Sequence, residues 1–555
     1  MQHYIRYGII ILFSALLFLP FLGGVHLFDW DEINFAECAR EMIVTGDYLR
    51  PQIDFMPFWE KPPFFIWMQV AAMKMVGIGA YAARLPNAIV GILTLIAVYH
   101  TGKKIMNEKI GQWWVLMFAA SWLPHLYFKS GIIDPTFNLF IFLSFVQVHL
   151  LRSSPTPWRN AMFAGLFLGI AAITKGPAAI LIAMLSLGVY ILVNRGLNGY
   201  KAKHLLLLSV MAAVPALTWI AVTMGVHGAT YGSWFLNEFV TYQIRLFSTE
   251  DSDHGGPFIY HFIVLLAGCF PASIFLFQYI DRRHDSKKMP HDFTKWMWIL
   301  FWVVLILFSI VKTKIVHYSS LCYFPLTYLA ALQLYRMSNE GKRIQNSVKY
   351  MLVGIGTILG LVIGALPLVG IYKAELTPYI ADKFAVANLR ANVQWSIAES
   401  AWGLLYVVGI WVAVIMIRTN FKKGMAILCA VQIVMIQVAI LHFTPKVEAY
   451  SQRAAIEYFE SLADKDVYVH PLGYKSYANL FYTNKRPYTS KEYQGMRTDK
   501  DGRQTPEPNQ HWLLYGKTDK PTYFISKIND SIKYSQMPEL EMTSSKNGFV
   551  FYRKK

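Results

Sequence analysis

The chain has 555 residues, of which 55% are hydrophobic and only 15% are charged. A soluble protein carries about 25% charged residues, so this composition excludes an ordinary soluble protein. The net charge of +18 is attributed to Lys and Arg in cytoplasmic loops, and no nucleic-acid partner is expected. The four cysteines are scattered without a CxxC pair, which argues against a disulfide framework or a zinc cluster.

Apolar runs recur through about the first 440 positions, and each is long enough to cross a membrane as a helix. The first run follows Arg6 and is not followed by a small-residue cleavage site, so we expect an uncleaved helix rather than a signal peptide. About thirteen spans are predicted, at approximately residues 8–24, 84–101, 111–128, 135–151, 160–174, 177–194, 205–224, 258–280, 296–311, 316–335, 350–372, 401–417 and 424–441. The sequence therefore predicts an all-α polytopic membrane domain over residues 1–444.

Lys and Arg are unevenly distributed among the loops that join these spans. They are concentrated in every second loop, for example at Lys103 and Lys104 and at Arg282 and Arg283. Such loops stay in the cytoplasm, which places the N-terminus inside and the long first loop, residues 25–83, outside. The odd number of spans places the C-terminal tail on the outer side as well.

The tail, residues 445–555, has a different character from the rest of the chain. It is polar, has turn-forming prolines and contains the strand-like runs DVYVH, HWLLY, PTYFISKI and GFVFYR. The segment SQRAAIEYFESLAD has helical periodicity instead. These features predict a small soluble α/β domain, without a motif that would give it a chemistry of its own.

Charged and polar side chains gather at the outer edges of the predicted spans. Asp31 and Glu32 follow the first span, and Glu60 and Lys61 lie in the same outer loop. Further members, in other outer turns and loops, are Lys129, Asp134, Lys175, Arg245, His254, Lys312, Lys314, His317 and Tyr318. Ionisable residues at a membrane edge are costly and usually functional, so their shared side predicts one polar cavity, with a merely solvated outer face as the alternative.

The residue types indicate what this cavity could bind. Basic side chains at the membrane boundary suit a phosphate, to which they donate charge-assisted hydrogen bonds. Acidic side chains beside them suit a general base, a divalent cation or a developing positive charge, and the residues alone leave this choice open. Glu60 and His254 are candidate metal ligands, although two residues so far apart in sequence form a weak metal pattern.

A short helix is predicted within the first outer loop. Residues 33–43 have apolar side chains at helical spacing, and Gly46 follows as a C-cap. The run FMPFWEKPPFFIW in the same loop is rich in aromatic residues and proline, which suits the headgroup level of a membrane. We expect the helix to lie in the outer interface.

The chain resembles the GT-C glycosyltransferases of the protein O-mannosyltransferase superfamily in five segments, in chain order DWDEINFAECAREMIVTGDY, FWEKPPFFIW, ITKGP, DHGGPFIYH and KTKIVHYSS. It is most similar to the lipid A aminoarabinose transferase branch, over most of the membrane region. The resemblance implies an inverting enzyme of the bacterial inner membrane that takes a sugar from a polyprenyl-phosphate carrier. It also implies lipid A or a related envelope glycolipid as the acceptor, on the outer side, and 4-amino-4-deoxy-L-arabinose as the sugar.

The same resemblance implies roles for individual residues. Asp31, with Glu32 grouped beside it, looks like the acidic residue of the catalytic centre. Glu60 and His254 resemble a pair associated with a bound divalent metal, which could be zinc, magnesium or manganese. Lys61, Asp134, Lys175 and Tyr318 look like donor-binding positions of the cavity, and the chemistry of phosphate adds Arg245 and Lys314 to them.

The first loop departs from the pattern of that branch. The family usually has Asp-Glu-x-Arg-Tyr, whereas this chain reads DEINF, with Asn34 and Phe35, so an arginine suited to phosphate is missing. A protein O-glycosyltransferase is the alternative within the enzyme class. A lipid-linked sugar transporter or flippase is the alternative from another class, although transporters place ionisable residues near the bilayer midplane and often show internal repeats.

Overall fold

The structure is a computed structural model that describes residues 2–28, 30–248, 255–280, 291–498 and 504–555. Its longer helices are α1 Gln2–Phe18, α2 Asp31–Thr45, α3 Phe64–Val76, α4 Ala80–Ile105, α5 Glu108–Ala119, α6 Trp122–Tyr127, α7 Asp134–Leu150, α8 Pro157–Lys175, α9 Ala178–Asn194, α10 Ala202–His227, α11 Ala229–Ser248, α12 Tyr260–Gly268, α14 His291–Ile310, α15 Tyr323–Asn339, α16 Asn346–Ile371, α18 Lys383–Leu389, α19 Ala401–Thr419, α20 Phe421–Val438, α22 Arg453–Ser461 and α24 Gln510–Tyr515. One-turn helices are α13 Ala272–Phe275, α17 Lys373–Leu376, α21 Thr444–Glu448, α23 Ala478–Tyr482 and α25 Ser531–Ser535. The strands are β1 Gln52–Ile53, β2 Met56–Pro57, β3 Tyr468–Leu472, β4 Gln494–Thr498, β5 Gln504–Pro508, β6 Thr522–Lys527, β7 Leu540–Lys546 and β8 Phe549–Lys554.

The structure confirms the hydropathy-based prediction of a multi-pass membrane protein. Each predicted span overlaps a helix, but only six helices of the described residues are by themselves long and apolar enough to cross a membrane. The bent pair α12 and α13, with an angle of 107° between its parts, raises this number to seven if it is one span. Other predicted spans are broken, such as residues 111–128, which form α5 and α6. The count of thirteen therefore stays a prediction.

The first helix ends earlier than predicted. Helix α1 stops at Phe18, whereas the apolar run predicted a span to residue 24. Pro20 lacks the backbone N–H that would continue the helix. The Lys129 amine also donates to the carbonyls of Leu17 and Pro20, at 3.2 and 2.8 Å, and so satisfies acceptors that the end of the helix leaves free.

Close helix packing holds the outer end of α8 in place. Helices α8 and α10 approach along Gly165 and Gly169, where an added Cβ would overlap the carbonyl oxygens of Leu208 and Ala212. Small residues at such positions let the backbones of membrane helices touch. Helix α7 packs on the other side of α8. The last residue of α8, Lys175, is thereby fixed beside the first residue of α7, Asp134.

The C-terminal region contains a four-stranded sheet in the order β3-β6-β8-β7. Strand β3 is parallel to β6, whereas β8 is antiparallel to both of its neighbours. The prediction of strands at DVYVH, PTYFISKI and GFVFYR is confirmed, as is the helix in SQRAAIEYFESLAD. The strand predicted at HWLLY is wrong, because these residues lie in α24, whose first turn is capped by the Asn509 side chain on the Trp512 N–H.

The C-terminal region is bonded directly to the first outer loop. The Tyr482 hydroxyl accepts from the Leu27 N–H at 2.7 Å, and Arg40 donates to the Lys485 carbonyl at 2.9 Å. The Lys485 amine in turn forms a buried ion pair with Asp54. Helix α2, which carries four of the first loop's eight acidic residues, is therefore held to the C-terminal region by contacts before, within and after the helix. The division predicted at residue 444 falls inside a helical stretch that continues to Glu448, and it stays a prediction.

Candidate active site

Four charged or ionisable side chains from four separate elements form one chain of contacts at helix ends. The His317 Nε2 atom lies 3.5 Å from Asp31 Oδ2 and 3.7 Å from Asp134 Oδ2. Lys175 Nζ lies 2.5 Å from the other oxygen of Asp134. The sequence separates these residues by up to 286 positions, yet one imidazole bridges the two carboxylates.

The four side chains of this cluster differ in exposure. The side chain of Asp134 is 3% exposed, those of His317 and Lys175 are 13% and 16% exposed, and that of Asp31 is 38% exposed. Asp134 is therefore the most buried member of the cluster, and Asp31 is its open end. A molecule that approaches from solvent meets Asp31 first.

The local backbone explains why the two aspartates take these positions. Asp31 and Asp134 are the first residues of α2 and α7, where the helix dipole favours negative charge. Pro135 follows at the first turn of α7, where its missing N–H costs nothing. The Asn87 amide donates to the carbonyls of Ser130 and Ile132, and this fixes the turn that leads into Asp134.

Two further predicted residues lie beside the cluster. Lys175 Nζ is 5.1 Å from the centre of the Tyr318 ring, and Lys61 Nζ is 5.9 Å from the centre of the Tyr242 ring on α11. The charge of Lys61 also acts on His317. Glu60 precedes Lys61 in the short bend before α3. The structure thus brings together five sequence-predicted residues, namely Asp31, Lys61, Asp134, Lys175 and Tyr318.

Glu32 has a different environment from its neighbour Asp31. Both oxygens of its buried carboxylate accept from the Arg84 guanidinium, at 2.9 and 2.7 Å, and they also accept from the N–H groups of Phe28 and Gly131. Burial alone would raise the pKa of Glu32, but the charge and hydrogen bonds of Arg84, with the two N–H groups, lower it below its ordinary value. These contacts favour a structural role, and the catalytic role predicted for Glu32 remains without support from its surroundings.

Lys314 also points away from the cluster. Its amine donates to the carbonyls of Phe308, Ser309 and Val311 at the end of α14, and its side chain is packed beneath Gly256. A lysine in this position satisfies carbonyls that the helix leaves without partners. Its predicted part in phosphate binding therefore competes with three existing hydrogen bonds.

Several predicted positions lie outside the described residues. These are His254 and the side chain of Arg245, whose backbone belongs to α11. Within the ranges that the structure describes, no three His, Cys, Asp or Glu side chains are placed to hold a metal ion. The metal pair predicted at Glu60 and His254 is accordingly neither supported nor contradicted.

His317 is the member of the cluster for which no individual role was predicted. It stood among the polar residues at the outer edges, but a single histidine in a short apolar turn has no periodic signal. In the structure it lies in the 3-10 turn Val316–Cys322, with its ring 6.5 Å from that of Tyr127. The only available signal was its place in the segment KTKIVHYSS beside Tyr318.

A large apolar cavity begins next to the two lysines. Its volume is about 660 Å³, and it is lined mainly by aliphatic and aromatic side chains of α7 to α11. The lining includes Pro62, which follows Lys61, and Gly176, which follows Lys175. The apolar cavity therefore borders the residues that follow Lys61 and Lys175.

A comparison with family models matches residues 60–219 to the family described as dolichyl-phosphate-mannose-protein mannosyltransferase. Among characterised proteins, the undecaprenyl phosphate-alpha-4-amino-4-deoxy-L-arabinose arabinosyl transferase of Wigglesworthia glossinidia brevipalpis is 26% identical over 66% of this chain and 64% of its own length. The protein of the same name from Pectobacterium carotovorum is 26% identical over 72% of each chain. The alignment thus spans just under two thirds of the first of these relatives.

Two solved structures of one protein share the fold of this chain. ArnT from Cupriavidus metallidurans bound to undecaprenyl phosphate superposes with a TM-score of 0.76 at 18% identity, over 98% of this chain and 97% of that one. The apo state of the same protein gives a TM-score of 0.76 over 100% and 98% of the two chains. The fold extends over the C-terminal region as well as the membrane helices, which confirms the resemblance found in the sequence segments.

Proposed function

We propose that this chain, a GT-C protein with an ArnT-like fold, is an inverting glycosyltransferase. Its proposed sugar donor is linked to a polyprenyl phosphate. Lipid A or a related envelope glycolipid is the proposed acceptor, and 4-amino-4-deoxy-L-arabinose is the proposed sugar. The single observation that carries the proposal is the contact chain from Asp31 through His317 to Asp134 and Lys175, which lies beside an apolar cavity. The names of the relatives support the choice of sugar and carrier.

The donor fits the cavity in one orientation. Its polyprenyl tail would occupy the apolar channel, and its phosphate would lie at the opening, between Lys61 and Lys175. Both lysines can donate charge-assisted hydrogen bonds to phosphate oxygens. Asp134 already holds Lys175 by an ion pair, which orients the amine and limits its reach. The sugar would then project from the phosphate towards Asp31.

The reaction breaks the bond between the anomeric carbon and the carrier's phosphate oxygen, and the electron pair stays on the phosphate. The acceptor oxygen forms the new bond from the opposite face. The transition state has oxocarbenium character, so the carboxylates of Asp31 and Asp134 stabilise the sugar while the lysines stabilise the departing phosphate. If the acceptor is a hydroxyl, Asp31 takes its proton; if it is a phosphate, Asp31 orients it.

We also propose an orientation of the chain in the membrane. With about thirteen spans and Lys and Arg kept inside, the N-terminus is cytoplasmic and the C-terminal sheet region is periplasmic. The cluster then faces the periplasm of a bacterial inner membrane. Donor and acceptor would both have their heads on this side.

Mass spectrometry of lipid A tests the function directly. Cells that contain the chain should have lipid A with an added pentosamine mass, and cells without it should lack that mass. Restoring the gene should restore the mass. Identical spectra from both cell types would contradict a lipid A acceptor.

A protein O-glycosyltransferase is the second candidate, and the family-model match over residues 60–219 favours it. The same pair of cell types separates the two candidates. A protein acceptor predicts unchanged lipid A together with the loss of a hexose or pentose mass from Ser or Thr of envelope proteins.

We also propose a divalent ion, zinc, magnesium or manganese, at Glu60 with His254. Such an ion would neutralise phosphate charge during transfer. Chelation of the purified protein with EDTA should lower the rate of transfer, and added metal should restore it. A Glu60→Gln protein should bind less metal, as measured by elemental analysis. Full activity of a protein with no detectable metal would contradict the ion.

A further inference from the structure

We propose that the C-terminal region supplies part of the acceptor site, through Lys475 and Tyr477, which lie with Trp30 beside Asp31. The expected ligand is a phosphorylated sugar headgroup of the acceptor glycolipid. This inference rests on the proposed function and extends it to the recognition of the acceptor. It gives the C-terminal region a chemical role that its sequence did not indicate.

The three side chains form a compact group, here called the rim. Lys475 Nζ lies 4.8 Å from the centre of the Trp30 ring and 5.3 Å from that of Tyr477, and the two rings meet edge to face at 6.3 Å. Trp30 is 41% exposed, although a large aromatic side chain gains by burial. Lys475 is exposed as well. An amine over exposed aromatic rings is suited to a sugar that carries a negative charge.

The position of the rim connects it with the reaction. Trp30 directly precedes Asp31, which is the open end of the charged cluster. The opposite end, at Lys175, borders the apolar cavity proposed for the donor. Since the two substrates must meet at the anomeric carbon from opposite sides, the acceptor has to arrive at the Asp31 side.

The rim is held by bonds on both sides of Trp30. Before it, the Leu27 N–H donates to Tyr482, and the Gln452 amide donates to the Leu27 carbonyl. After it, the Arg40 guanidinium pairs with Glu37 and donates to the Lys485 carbonyl. These bonds join the two ends of the Trp30 segment to the region that carries Lys475. The segment that carries Trp30 and Asp31 is therefore held against the region that carries Lys475.

Steady-state kinetics with the purified full chain tests the rim. The donor is undecaprenyl-phosphate aminoarabinose, and the acceptor is bisphosphorylated lipid A, compared with its monophosphorylated form. Lys475→Glu should raise the acceptor KM by about tenfold or more, because a charge-assisted bond becomes a repulsion, while the donor KM changes less than twofold. Lys475→Arg should retain the wild-type acceptor KM. Lys465→Ala, an exposed lysine of the same region, is the matched control.

Binding without donor separates the failure of this inference from the failure of the proposed function. Native mass spectrometry would measure lipid A bound to the wild-type chain and to Lys475→Glu, with phosphatidylglycerol as a competing anionic lipid. Lipid A binding that depends on Lys475 supports the rim even if no sugar is transferred. An equal acceptor KM and equal binding in both proteins overturn it. An equal loss of lipid A and phosphatidylglycerol binding also overturns it, because the rim would then contact bulk lipid only.

Discussion

Replacing Asp31 with Asn should lower the kcat of sugar transfer by about 10²- to 10⁴-fold, which is the range that a positioned proton-transfer group contributes. The change keeps the size of the side chain and removes its charge. Asp31 is the most exposed member of the cluster, and the proposed function places the acceptor beside it. The donor KM should change little, because Lys61 and Lys175 remain in place.

The measurement is single-turnover transfer with donor and acceptor in excess over their binding constants. Asp466→Asn, a 61% exposed aspartate of the C-terminal region, is the matched control and should keep full activity. A fall in rate that is equally large in the control would indicate a general effect of lost charge. An Asp31→Asn protein with the rate of the wild type would remove Asp31 from the reaction.

His317 should act together with Asp31 rather than separately. Its Nε2 atom lies between Asp31 and Asp134, so removal of the imidazole changes the position and charge balance of both carboxylates. In a double-mutant cycle of Asp31→Asn and His317→Gln, the combined loss should be clearly smaller than the sum of the single losses. Additive losses would mean that the two residues act independently.

The sequence was sufficient to predict that charged residues gather in one place, whereas the side of the membrane that they face stays a prediction. Hydropathy gives the positions of the spans, and the distribution of Lys and Arg assigns each loop to a side. Asp31, Lys61, Asp134 and Lys175 all followed from these two signals and the sequence segments shared with the family. The structure places Asp31, Asp134 and Lys175 in one cluster, and Lys61 lies beside it.

The sequence could not separate residues that react from residues that hold the site. Asp31 and Glu32 are adjacent and chemically alike, and the difference between them is the Arg84 partner, which lies 52 positions away from Glu32. Lys175 and Lys314 both follow an apolar span. Lys314 follows the end of α14 at Ile310, and its amine folds back onto carbonyls at that helix end. Such long-range or cap contacts leave no periodic pattern in a sequence.

The fold was least predictable where local signals conflict. HWLLY reads as a strand by its aromatic and aliphatic content, but the Asn509 cap starts a helix there. Predicted spans such as 111–128 were continuous in hydropathy, whereas the structure breaks this one at Ala120 and Ser121. Hydropathy measures the cost of contact with lipid and does not report whether a helix is continuous.

The buried pair of Arg84 and Glu32 should have the largest effect on stability. Arg84 donates five hydrogen bonds, to both oxygens of Glu32 and to the carbonyls of Leu22, Val25 and His26. Glu32 also accepts from the Gly131 N–H, three residues before Asp134. The pair therefore joins the segment that carries Asp31 to the turn that carries Asp134.

Arg84→Ala should lower the free energy of unfolding by about 3–5 kcal/mol, because it leaves the Glu32 carboxylate buried without a counter-charge. Thermal unfolding in detergent would show the loss as a lower Tm. Arg84→Lys should be intermediate, since an ammonium keeps the charge but cannot reproduce the planar set of five bonds. Arg390→Ala, at an exposed arginine of another outer loop, should leave Tm unchanged.

The dependence of this loss on pH identifies its cause. The pKa of Glu32 is lowered in the folded protein, so the pair stabilises the fold above the ordinary carboxyl range and loses this contribution as the pH falls through the lowered pKa. In Arg84→Ala the unpaired carboxyl becomes protonated more easily. The difference in Tm between wild type and Arg84→Ala should therefore shrink from pH 7 towards about pH 4, near the ordinary pKa of glutamate. Adding Glu32→Gln to Arg84→Ala should recover part of the lost Tm at pH 7. A Tm difference that is constant with pH, with no recovery in the double variant, would show that Arg84 acts through packing rather than through the charge of Glu32.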